Sequence, residues 1–101
     1  MKVIVKGTFA YNHRVLMQKC GFAPSKNREG EESFVRALGV GGYPRFHVYL
    51  DSVDEGLIFK LHLDQKKPTY GEGTAHSGEY EGEVVEKEAA RIYHILSGLV
   101  R

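Results

Sequence analysis

A chain of 101 residues has room for one domain and not two, and with 42% hydrophobic and 27% charged residues it is composed like a globular fold, not a disordered chain. Its one cysteine, Cys20, excludes an intrachain disulfide and any zinc site built on several cysteines, while a formal net charge of +1 excludes no partner class. The distribution of charge says more. Lys2, Lys6, Arg14, Lys19, Lys26 and Arg28 precede the first acid, whereas acids outnumber Lys and Arg from Asp51 onward. A basic half is either the footprint of a polyanion partner or the complement of the acidic half on folding.

Met1 to Lys6 holds a three-residue apolar run between lysines, too short for a secretory signal, and no stretch approaches a membrane span. The expectation is a cytoplasmic protein with no membrane partner. Val3 and Val5 alternate with Lys2, Ile4 and Lys6, which predicts a first strand ended by Gly7. Thr8 or Asn12 can cap a helix with the apolar stripe Phe9, Leu16, Met17 and Cys20, closed by Gly21. Phe22 to Glu32 reads as loop. Ser33 to Leu38 suits a short strand better than a helix, because Gly39, Gly41, Gly42 and Pro44 then connect it to the next strand.

The strictest alternation follows. Phe46, Val48 and Leu50 share one face of a strand, with Arg45, His47, Tyr49 and Asp51 on the other. Leu57, Phe59, Leu61 and Leu63 alternate in the same way with Ile58, Lys60, His62 and Asp64. Ser52 to Gly56 is the turn of a β-hairpin. Both apolar faces must build one core, so His47, Tyr49, His62 and Asp64 gather on the opposite side. Gln65 to Glu81 is a long glycine-containing loop without periodicity, a kind of segment often functional. Val85, Ala89, Ile92, Leu96 and Leu99 form the stripe of a C-terminal helix from Gly82, with Glu83, Glu86 and Glu88 favouring its N-terminal half.

Three chemistries fit the polar face. His62, Asp64 and the cross-strand His47, joined by His76 or Glu79 from the loop, are ligand types for a divalent cation, although their spacing matches no zinc motif. A histidine oriented by a carboxylate can serve as general base, with Lys66 or Lys67 countering negative charge, yet no nucleophile elbow, phosphate loop or zinc-protease motif accompanies it. Arg36, Arg45, Lys60, Lys66 and Lys67, interleaved with Tyr43, Tyr49, Tyr70 and Tyr80, suit a phosphate-bearing ligand or single-stranded nucleic acid. Asp51, Asp64, Glu72, Glu79 and Glu81 weaken such a groove. The structural alternatives are a hydrogen-bonded His–Asp pair on a wet sheet face and a loop that only shields the sheet through Tyr70 and Tyr80. His13 and His94 read as surface or boundary residues and Cys20 as an inert core thiol.

Tyr43-Pro-Arg-Phe-His-Val-Tyr-Leu-Asp51, Leu61-His-Leu-Asp-Gln-Lys-Lys-Pro68 and Ala75-His-Ser-Gly-Glu-Tyr80 resemble segments of small prokaryotic proteins of unknown function, over residues 33 to 93. That resemblance implies no activity and no cofactor. The expected fold is therefore a single α+β domain over residues 1–101, ordered β-α-β-β-β-α, with a mainly antiparallel sheet and the C-terminal helix packed on one face. The expected function is a non-enzymatic binding module for an anionic small molecule or nucleic acid. Arg45, His47, Tyr49, His62, Asp64, Lys66, His76 and Glu79 are its ligand-binding residues. A small hydrolase or nuclease with a His/Asp site, metal-assisted or not, is the alternative. No metal ligand set, cofactor or catalytic residue is assigned from sequence.

Overall fold

The computed structural model describes residues 1–26, 29–65, 78–79 and 82–101. In chain order the elements are β1 (Lys2–Lys6), α1 (His13–Lys19), β2 (Ala23–Lys26), β3 (Glu32–Ala37), β4 (Arg45–Val53), β5 (Gly56–Asp64), β6 (Gly78–Glu79) and α2 (Glu83–Ser97). The α+β class and the C-terminal helix agree with the sequence reading. The sheet runs β1-β5-β4-β3-β2, with β6 also on β5, and every neighbouring pair is antiparallel.

The order differs from expectation at β2 and β6. Residues 23–26 lie in a segment read as loop, because Ala-Pro-Ser-Lys has no alternation and contains a proline. As the outermost strand of the sheet path, β2 tolerates Pro24, which has no N–H to donate. The two-residue β6 returns beside the end of β5, with Leu63 opposite Glu79 and Asp64 opposite Gly78.

The β4–β5 hairpin turns at Asp54–Glu55, between the paired Val53 and Gly56. This tight turn fixes the register, so Arg45 faces Asp64, His47 faces His62, Tyr49 faces Lys60 and Leu50 faces Phe59. Gly56 also pairs with Lys6 of β1, and a Cβ there would stand 2.1 Å from the Val5 carbonyl oxygen. Gly56→Ala should therefore force β1 away from β5 and cost about 1–2 kcal/mol. Coincident urea unfolding curves for variant and wild type would contradict this close approach.

The core joins sheet and helices in one cluster: Val5, Phe34, Phe46, Val48, Leu57, Phe59, Leu61 and Leu63 from the strands, with Leu16, Met17, Val85, Ala89, Ile92 and Leu96 from α1 and α2. Asn12 is the N-cap of α1, its Oδ1 accepting from the Val15 N–H at 2.9 Å. Gly21 follows the helix with φ +88°, the left-handed turn that glycine adopts without strain. Two expectations need correction. Phe9 lies before α1, in an isolated bridge with Val100, and reaches only the core margin. Leu50 has the expected phase but is only half-buried beside the core.

Arg36 is also reassigned. It pairs in register with Phe46, on the core side of the sheet, and its guanidinium meets the buried Glu88 of α2 through Nε at 3.0 Å and Nη2 at 2.9 Å. It is a clamp between sheet and helix, not part of the polar face. Cys20 is fully buried, and burial pushes its thiol up to about 11, as an inert core thiol requires. Among the described residues no helix is long and apolar enough to cross a membrane.

Candidate functional site

On the face opposite the core, alternate positions of β1, β5, β4 and β3 bring the candidate side chains together. The pairing puts Lys2, Ile4 and Lys6 of β1 beside Ile58 and Lys60 of β5, then Arg45, His47, Tyr49 and Asp51 of β4, then Ser33 and Val35 of β3. Its centre is the directly opposed pair His47 and His62, whose ring centroids are 4.8 Å apart. Because the side-chain period is two, Asp64 stands beside His62 on the same face and diagonal to His47.

Asp64 ties the cluster together. Its Oδ1 is 3.0 Å from His62 Nε2, and its Oδ2 is 3.4 Å from both His47 Nδ1 and Arg45 Nε. Burial by itself raises the Asp64 carboxyl, but hydrogen bonds and charge from His47 and His62 outweigh it and hold the group well below the usual carboxylate range. The carboxylate is thus ionised, and the two ring nitrogens turned toward it present N–H. In neutral His47 this leaves Nε2 as acceptor, and the Ser33 hydroxyl donates to it at 2.7 Å. Tyr49 stacks on the His47 ring at 4.9 Å and 30°, and the Arg45 guanidinium lies 4.7 Å over the Tyr43 ring.

The cluster is sheltered but not sealed: the side chains of His47, His62 and Asp64 are 14%, 16% and 22% exposed. Ser33 is different, at 2%. Its link through His47 to Asp64 has the connectivity of a nucleophile, base and orienting acid. However, a hydroxyl so enclosed offers no line of approach to a substrate carbonyl or phosphorus. Its visible role is to fix the His47 ring.

Of the residues proposed from sequence, Arg45, His47, Tyr49, His62 and Asp64 converge. Lys60 lies on the same face, 3.3 Å from Asp51 in an exposed ion pair of small energetic weight. Lys66 and His76, like Lys67, Tyr70, Ser77 and Tyr80, lie outside the described residues, as does the side chain of Glu79. His94 is exposed, and His13 is half-exposed with Nε2 2.9 Å from Ser52 Oγ, both away from the cluster. Sequence reasoning missed Ser33. Its phase is legible once Phe34 is assigned inward, but placing it against His47 needs the β3–β4 pairing. No family model, no curated protein and no solved structure matches the chain.

Proposed function

We propose that the domain is a binding module whose polar sheet face takes up a phosphate-bearing ligand, centred on His47 and His62 with Arg45 at the edge. One observation carries this reading: two imidazoles and a guanidinium surround a single ionised carboxylate on a sheet face where Lys2, Lys6 and Lys60 further outweigh Asp51. The Arg45 guanidinium makes charge-assisted hydrogen bonds to phosphate oxygens, the imidazole N–H groups held by Asp64 join it by turning from the carboxylate to the phosphate, and Tyr49 adds a flat surface beside them. Among the described residues, the enclosure of Ser33 favours binding over covalent catalysis, since the hydroxyl held against His47 is closed to substrate.

The test is histidine-selective NMR on the full chain with a chelator present, adding inorganic phosphate and then nucleoside monophosphates. The resonances of His47 and His62 should move together and saturate, while those of His13 and His94 stay in place. Arg45→Ala should weaken the response about tenfold or more, the scale of one charged hydrogen bond. If His47 and His62 do not respond to any phosphate compound, the reading is wrong.

A further inference from the structure

We propose that His47 Nδ1, His62 Nε2 and a carboxylate oxygen of Asp64 form a site for one zinc-class divalent cation. The inference rests on the same polar face, but it does not require that face to take phosphate. Among the described residues these three are the one group of potential ligands brought together, with ligand atoms all within 4.8 Å of one another. A tetrahedral zinc site with bonds near 2.1 Å places its ligand atoms about 3.4 Å apart. The two contacts with Asp64, at 3.0 and 3.4 Å, already lie close to that spacing. Only the remaining separation has to close, by a small rotation of side chains.

The support around the ligands is as telling as the ligands. Both histidines sit on strands paired on both sides, β4 between β3 and β5, and β5 between β1 and β4. Their backbone positions are fixed by the ladder. Ser33 Oγ stands at the far nitrogen of His47. On metal binding the His47 ring proton moves to Nε2 and donates to Ser33 Oγ, whose hydroxyl turns from donor to acceptor. A second partner of this kind is the usual way a ligating imidazole is oriented. Arg45 holds Asp64 at Oδ2 in the same way, leaving Oδ1 toward His62. The guanidinium charge opposes a second cation, so the affinity should be moderate, on the order of micromolar, not that of a closed four-ligand site.

The donor set selects the metal class. Two imidazoles and one carboxylate suit zinc, cobalt or nickel, whereas magnesium and calcium prefer all-oxygen shells. Three protein ligands leave a coordination position open, as in zinc sites that receive a water or a ligand oxygen. A cation here would also neutralise the Asp64 charge, which opposes an anionic ligand at the centre of this face.

The experiment is titration of the full chain, in buffer free of phosphate and chelator, with cobalt followed by visible absorption and then with zinc. Wild type should take up one equivalent of cobalt with intense tetrahedral-type bands that zinc abolishes. Asp64→Asn and His62→Ala should each lower the affinity at least tenfold, and His13→Ala should not change it. Ser33→Ala should lower it by about tenfold or more through loss of ring orientation, and Ser33→Thr should restore it. Thermal unfolding of each apo variant separates lost ligation from lost fold. Absence of saturable cobalt or zinc uptake by the wild-type chain overturns the site without recourse to any variant. So does undiminished uptake by Asp64→Asn and His62→Ala. The phosphate titration with chelator present is independent of this result, so either reading can fail alone.

Discussion

Phe59→Ala should remove about 3–5 kcal/mol of stability, the range for truncating a buried phenylalanine. Phe59 is fully buried on β5, between Val3 of β1 and Leu50 of β4 in the register, and belongs to the cluster that includes Leu16, Val85 and Ile92. Collapse into the space left is hindered there because β5 is paired on both sides, with β1 and with β4. For a domain of this length the whole folding free energy is on the order of 5–15 kcal/mol, so the variant should be near the edge of unfolding at room temperature. Urea denaturation followed by circular dichroism measures the loss. Val40→Ser, at a fully exposed loop position between β3 and β4, should leave the midpoint where it is. A Phe59→Ala loss under about 1 kcal/mol would show that Phe59 is not a core residue.

The hairpin that carries Phe59 was legible in the sequence because its signal is local. Phe46 and Val48 alternate with Arg45 and His47, Phe59 and Leu61 alternate with Lys60 and His62, and a short turn fixes which residue meets which. The pairing of His47 with His62 and of Arg45 with Asp64 follows from that register. The stripe of α2 was equally legible, with Val85, Ala89, Ile92 and Leu96 all buried. What remained hidden was non-local. Strand β2 has no pattern of its own and exists because β3 offers it an edge. Ser33 joins the site only because β3 pairs with β4, a relation that no window of residues contains. Arg36 was misplaced for the same reason. A charged residue in a short strand reads as solvent-facing until a partner such as Glu88, fifty-two positions away, is seen above it.

The same logic gives the second large effect, at Glu88. This carboxylate is 4% exposed and is held by Arg36 of β3 and by Arg91 one turn on in α2, which approaches to 2.7 Å. Arg91 Nη2 also donates to the Cys20 carbonyl at 2.7 Å, so the group ties α2 to the end of α1 and to the sheet. Removing one member of a buried pair costs about 3–5 kcal/mol when the other is stranded without water. Here the stranded cations, Arg36 and Arg91, are 31% and 38% exposed and can rehydrate in part. Glu88→Ala should therefore cost less, about 2–3 kcal/mol. The pH dependence has a definite sign. Burial raises the Glu88 carboxyl, but the hydrogen bonds and charges of Arg91 and Arg36 outweigh it and lower it from its ordinary 4.5. A depressed carboxyl adds stability above its unfolded value and loses it as pH falls through the folded value. The neighbouring Cys20 thiol is protonated throughout that range, and residue 88 is the group that differs between the two proteins, so the change belongs to Glu88. Wild type should thus exceed Glu88→Gln in stability at neutral pH, and the gap should narrow steadily as pH falls below 4.5. A gap that is constant from neutral to acid pH would mean that the clamp is hydrogen-bonded packing with no ionic part.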